Sequence, residues 1–376
     1  MPENRFHIIS HNITYFSNPN LYVLKYICRM YYDNNGYIDF EKLLKDDDAP
    51  FKFIVGGRGT GKTFGILKYM VDHSIKFIFL RRTQTQVDLI KNDDMNPFKA
   101  LYLELGDDYL FTVQTINRNV SAIYEVDADD PELRPTGPAV GYIMALSTIS
   151  NLRGFDASDV KYIIYDEFIG EKHEKPISHE GIAFLNAYET IARNRELKGR
   201  SPAQVVALSN STNMANPIFI ELKIITPLEK MLKKGRDVMH MKDRGLSVYV
   251  MKDSPISKQK EKTALYRLTG ADSDFAQMAL SNQFNKEFFG QVKSRKLQEF
   301  KPLVYVGEIM IYKHKNRREW YVTDTMSGKP EKYDSSDIEL ERFRNDYYYL
   351  KLAYLNRHVY FMSYIQQVLF EQYLKI

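Results

Sequence analysis

From residue 51 to about residue 210, short apolar runs alternate with longer amphipathic stretches. Phe51-Lys52-Phe53-Ile54-Val55 predicts a strand, residues 62–71 a helix, and Lys76-Phe77-Ile78-Phe79-Leu80 a second strand. Residues 142–146, 160–165 and 204–208 are further strand-forming runs. Runs this apolar are buried on both faces, which predicts a mainly parallel sheet covered by helices. Residues 127–138 hold three prolines and four acids and predict a surface excursion. After Pro227 the texture changes. Residues 228–243 and 256–298 predict polar, basic helices. Strands are expected at 303–306, 309–312 and 319–322, and a closing helix at 361–375. The expected organisation is an α/β domain over 1–240, a basic helical linker over 241–298 and a small α+β domain over 299–376. No repeat of fixed period is visible, which argues against a solenoid or propeller.

Composition narrows this only a little. Hydrophobic residues make up 44% and charged residues 27%, the balance of a globular protein and not of a disordered one. No apolar run approaches the ~18 residues that span a bilayer, so no membrane partner is expected. The opening Met1-Pro2-Glu3-Asn4-Arg5 lacks a signal-peptide layout. The one cysteine, Cys28, excludes a disulfide framework and fits a reducing cytosol. Charge is uneven. Residues 1–222 carry 24 basic against 29 acidic side chains, residues 223–318 carry 21 against 10, and the remainder 7 against 9. A basic middle behind an acidic front points to a polyanion partner, or to a solvated Lys-rich segment.

The strongest chemical signal is Gly56-Gly57-Arg58-Gly59-Thr60-Gly61-Lys62-Thr63. It fits G-x-x-x-x-G-K-[ST] and lies between a predicted strand and a predicted helix, the context that a phosphate-binding (Walker A) loop requires. Glycines let the backbone turn its N–H groups inward around phosphates, and the helix adds its positive end. Lys62 is expected to reach the β- and γ-phosphates of ATP, and the Thr63 hydroxyl to bind Mg²⁺. A second signal, Tyr162-Ile163-Ile164-Tyr165-Asp166-Glu167, ends a buried strand in two carboxylates. Asp166 can complete the Mg²⁺ shell (Walker B), and Glu167 can deprotonate the attacking water. A glutamate in that position predicts the additional-strand, catalytic-glutamate (ASCE) division of P-loop ATPases.

Other candidates are less determined. Ser209 and Asn210 follow the strand at 204–208, where a small polar residue can sense the γ-phosphate; the cluster also reads as a helix cap before Pro217. Arg153, Arg193 and Arg195 are candidates for a guanidinium donated to a neighbouring subunit's site, or for surface ion pairs. His173 and His179 lack the spacing of a metal site. Tyr347, Tyr348, Tyr349, Tyr354 and Tyr360 read as core or as base-stacking residues.

Taken together, GGRGTGKT, SNLRGFD, YIIYDEF, ETIARNRE and VVALSN resemble viral genome-packaging ATPases. The LRG run before the Asp-Glu strand end is similar to large terminase ATPase domains. The short length and Phe16-Ser17-Asn18-Pro19 look more like the compact packaging ATPases of phi29-like podophages. The resemblance implies a homo-oligomeric, pentameric ring at the portal vertex of a prohead, driving double-stranded DNA inward by ATP hydrolysis in the infected bacterial cytoplasm. It also implies a vestigial RNase H-like nuclease domain that docks on a structural packaging RNA or the portal. Asp324 ends a strand there without a convincing set of partner acids. A large-terminase-type ATPase with a live nuclease, another ASCE translocase or helicase, and a nucleotide-binding assembly protein remain alternatives.

Overall fold

The computed structural model describes residues 28–92, 95–152, 155, 157–170, 174, 177–210, 214, 216–252, 254–270 and 291–376. Nine strands form the larger sheet: β1 (Phe51–Gly56), β2 (Phe77–Arg81), β3 (Phe111–Asn117), β4 (Val120–Glu125), β5 (Gly141–Ala145), β6 (Tyr162–Asp166), β7 (Gln204–Ser209), β8 (Val238–Met241) and β9 (Leu246–Met251). Their order is β3-β4-β5-β2-β6-β7-β1-β9-β8. The six strands from β5 to β9 in that order are parallel, and antiparallel pairs close both edges. β7 stands between β1 and β6, which is the additional strand that the paired acids predict.

Alternation along each strand explains the two cores. Phe53 and Val55 of β1 face the helix Glu180–Ala192 with Leu80, Tyr165, Ala207 and Val248. Ile54 faces the helix Lys62–Asp72 with Phe79, Ile164, Leu208 and Tyr249. Both faces must therefore be apolar, and the continuous apolar runs follow.

The region after Pro227 differs from expectation. Instead of helix through 243, the helix Ile225–Lys233 stops at Gly235. Gly235 has φ +70°, and its N–H and that of Arg236 return to Leu232 and Met231 in a glycine-dependent helix stop. Gly245, at φ +58°, then turns β8 into β9. β9 lies beside β1, so the sheet runs past the expected domain end at 240, and the linker begins after Met251. Within it the helices are Pro255–Lys260 and Ala264–Thr269; residues 271–290 lie outside the described residues.

A second sheet has the order β13-β10-β11-β12-β14, from β10 (Phe300–Val306), β11 (Ile309–His314), β12 (Trp320–Thr323), β13 (Glu331–Tyr333) and β14 (Val359–Phe361). The first three strands were legible; β13, β14 and the helices Asp337–Asp346 and Tyr348–Leu355 were not. Residues 291–293 already join this unit, bonding along β14, so it starts before 299. The final helix, Tyr364–Leu374, packs Leu369, Phe370 and Leu374 into the core of the second sheet but Tyr364 and Val368 into the core on the Phe53 face of the larger sheet. Its Tyr364 N–H donates to Glu229 at 3.4 Å. Among the described residues no helix is long and apolar enough to cross a membrane.

Candidate functional site

The glycine loop, residues 56–63, sits where parallel strands end, the usual place for a ligand in an open α/β sheet. Several helices of this unit begin with side-chain caps, Asp39 at 40–46, Thr83 at 84–90 and Asn96 at 97–105, whereas those at 180–192 and 225–233 do not. The helix Lys62–Asp72 starts on Gly61, with no capping side chain. Its first N–H groups face the loop, and that end carries positive partial charge. Gly59 and Gly61 have φ of +69° and +77°, conformations that a side chain would strain.

Lys62 is buried, and its ammonium donates to the carbonyls of Gly56 (2.9 Å) and Gly57 (2.5 Å) and to Thr60 Oγ1 (3.3 Å). Burial pulls its pKa down to about 7, while Asp166 pulls the other way. Across the sheet, Thr63 Oγ1 lies 3.1 Å from both carboxylate oxygens of Asp166 and donates to them. Burial raises the pKa of Asp166, against the opposing effects of Arg81, Thr63 and Lys62. A hydroxyl and a carboxylate this close form an oxygen donor pair suited to Mg²⁺, and the loop suits a triphosphate. Glu167 takes a left-handed backbone, φ +55°, which costs on the order of 1–3 kcal/mol for such a residue and turns its carboxylate out at the strand end.

Arg81 was missed by sequence reasoning. It ends β2, which pairs with β6, and donates to Asp166 at 2.8 Å and to Glu167 at 2.5 Å. Its signal was the second apolar strand ending in Arg81-Arg82. A cavity of about 270 Å³ beside it is lined by residues that include Thr63, Arg81, Gln86, Met95 and Asp166. Arg82 turns the other way, into the protein, where its Nε and Nη2 pair with Glu180 at 2.7 and 3.0 Å and its Nη1 pairs with Glu174.

The remaining candidates are dispersed. Ser209 is buried beside Val55, which puts Asn210 next to the loop and the acids. The helix Glu180–Ala192 starts behind Asp166, where Glu180 meets Arg82, and runs about 20 Å toward the strand starts, where Tyr188 meets Phe51 at the head of β1. Arg193 caps that far end, half-buried, and cannot reach its own loop. Arg195 does not fit the role of a donor to another subunit. It is buried and donates to the carbonyls of Val160 (2.8 Å) and Ala157 (3.4 Å), holding the turn that feeds β6. Arg153 and His173 lie outside the described residues. His179 begins the helix Glu180–Ala192. Tyr347 and Tyr354 pack against the core of the second sheet, and the Arg295 guanidinium covers Tyr360 at 3.9 Å. Asp324 is exposed and accepts from Thr325 at 2.9 Å.

Known proteins share this plan. The chain is 24% identical over 282 residues to the DNA packaging protein of Bacillus phage phi29, covering 73% of this chain and 74% of that one. It is 23% identical over 267 residues to the DNA packaging protein of Bacillus phage B103, covering 69% and 73%. Among solved structures, the Phi-28 gp11 DNA packaging motor superposes with a TM-score of 0.60 at 21% identity, over 89% of this chain and 97% of that one. The bacteriophage Phi-29 genome packaging motor assembly gives 0.61 at 17% identity, over 90% and 98%. These likenesses extend through both sheets, and residues 31–329 match a single family. The chain belongs to the podovirus DNA encapsidation protein (Gp16) family.

Proposed function

We propose that this chain is an ATP-hydrolysing motor that drives double-stranded DNA into a viral prohead. The observation that carries the reading is the meeting of Thr63 with Asp166 across β7, with Lys62 on one side and Glu167 on the other. Lys62 and the loop N–H groups would hold the phosphates, and Thr63 and Asp166 would hold Mg²⁺, which supplies positive charge to phosphate oxygens. Glu167 accepts the proton of the attacking water. Arg81 sets where Glu167 points, because its fork is also fixed on Asp166. Asn210 reads the γ-phosphate from the end of β7.

The subunits form a homo-oligomeric ring, pentameric in this reading, on the portal vertex in the infected cell. Arg193 serves the neighbouring subunit's site, with Arg153 as the other candidate. Its distance from its own loop supports that direction. The sheet through Met251 is the motor domain, and the unit from 291 is a nuclease-like domain without cleavage activity that docks on the portal or on a packaging RNA. The basic middle of the chain, residues 223–318 with 21 basic against 10 acidic side chains, suits DNA, which carries one charge per ~1.7 Å.

The test is ATP turnover by the purified chain alone, with DNA, and with DNA plus proheads. Stimulation by proheads, accompanied by DNA that becomes protected from nuclease, is the expected result. Strand separation without proheads would identify a helicase instead, and nucleotide binding without turnover an assembly switch.

A further inference from the structure

A second lysine reaches the phosphate loop from far along the chain. Lys260 ends the helix Pro255–Lys260, and its ammonium donates to the carbonyl of Arg58. A Cβ on Gly59 would lie 2.0 Å from that ammonium, so position 59 has no room for a side chain while Lys260 stays there. The placement is built. Ser254 Oγ donates to the Gly36 carbonyl at 2.9 Å, and a Cβ on Gly36 would lie 2.8 Å from Ile256 N. The same turn is fastened to the loop, since Ile38 N–H donates to the Thr60 carbonyl at 3.0 Å and the Tyr37 ring packs over Gly61. The root of Lys260 is therefore held in register with the loop through residues 36–38.

Charge makes this a poor strut and a good receptor. Among the described residues the Lys260 ammonium has one hydrogen-bond partner, a neutral carbonyl, and no ion pair. An ammonium has three donors. Burial disfavours its charge; on Lys62, Asp166 and Glu167 favour the charged form while Lys260 and Arg58 disfavour it. Three cations thus converge on one loop, and such convergence is relieved by an anion of several charges.

We propose that Lys260 is a second phosphate-binding lysine of the nucleotide site, which leaves the Arg58 carbonyl for the triphosphate tail. This rests on the nucleotide reading above. It also means that occupancy of the loop is felt in the segment that follows Met251, since the residue that changes partner belongs to it.

The experiment uses the full chain and a non-hydrolysable fluorescent ATP analogue, with inorganic tripolyphosphate as competitor. Lys260→Ala should weaken the analogue about 10-fold and weaken tripolyphosphate in proportion, and Lys260→Arg should recover most of the loss. The nucleotide-free melting temperature of Lys260→Ala should not fall, because a like charge has been removed. Unchanged affinity in Lys260→Ala would overturn the proposal. So would an affinity loss that comes with a lower melting temperature and is not recovered by arginine, which would make Lys260 a structural tie. If the wild-type chain binds no nucleotide, the nucleotide reading falls first and the role of Lys260 with it.

Discussion

Arg81 grips Asp166 with one nitrogen of its guanidinium and Glu167 with the other. Two adjacent carboxylates, one buried and one turned to solvent, are thus held by a single rigid fork. Lysine keeps the charge but is a point donor on a flexible stem. Arg81→Lys is therefore expected to lower kcat about 10-fold or more while nucleotide affinity stays within a few-fold. Steady-state kinetics beside direct binding would separate the two, and wild-type turnover in Arg81→Lys would show that the fork is not used.

That residue also marks where sequence stops being informative. The glycine loop of the candidate site was legible because its residues are contiguous, so one stretch holds the turn, the lysine and the hydroxyl. Asp166 and Glu167 were legible because a buried strand that ends in acids is conspicuous. Arg81 becomes part of the site only because β2 lies beside β6, and strand order is fixed by helix packing and not by neighbours in the chain. β9 was read as part of a linker because Lys-rich flanks made the surroundings look helical. The run Leu246-Ser247-Val248-Tyr249-Val250-Met251 is wholly buried, and its two hydroxyls are satisfied, that of Ser247 by His240 at 2.9 Å and that of Tyr249 by Asp47 at 2.7 Å. Arg195 looked like a surface arginine because burial of a guanidinium against backbone carbonyls has no local signature.

Glu167→Gln tests the base. With Thr63 and Asp166 intact, ATP should still bind, while hydrolysis falls by ~10²-fold or more for want of a proton acceptor. If binding and hydrolysis were lost together, Glu167 would be a structural or metal-holding residue.

Lys62 gives a pH dependence with a definite sign. Its pKa in the nucleotide-free fold is pulled down to about 7, chiefly by burial, so above pH 7 the ammonium is increasingly neutral. A bound polyanion favours the charged form, so binding at pH 8 should take up protons and affinity should weaken as pH rises through 7–9. Calorimetry in buffers of different ionisation enthalpy reads the uptake directly. Lys62→Ala should abolish turnover and remove that uptake; uptake that persists in the variant would belong to another group.

Arg193 and Arg195 should part company. Arg193→Ala subunits mixed with Glu167→Gln subunits should recover activity at interfaces that combine an intact glutamate with an intact donated arginine. A charge-stabilising group of this kind is worth ~10³–10⁵ in rate, so even a minority of such interfaces is detectable. Arg195→Ala should instead lower stability by about 1–3 kcal/mol, because two backbone carbonyls lose their donor, and should not complement. Mixtures of Arg193→Ala no more active than either parent, while wild-type subunits tolerate Glu167→Gln neighbours, would place Arg193 in a structural role and leave Arg153→Ala as the next mixture to make.

The closing helix, with Tyr364 and Val368 in one core and Leu369 to Leu374 in the other, has a mechanical meaning. A slack tether transmits pull only once it is taut. A helix buttoned into both bodies transmits push and torsion at once, and drawing it out of the first would bare two side chains at about 1.5–3 kcal/mol each. Force generated at the glycine loop can thus arrive at the second sheet through the packed side chains of one helix.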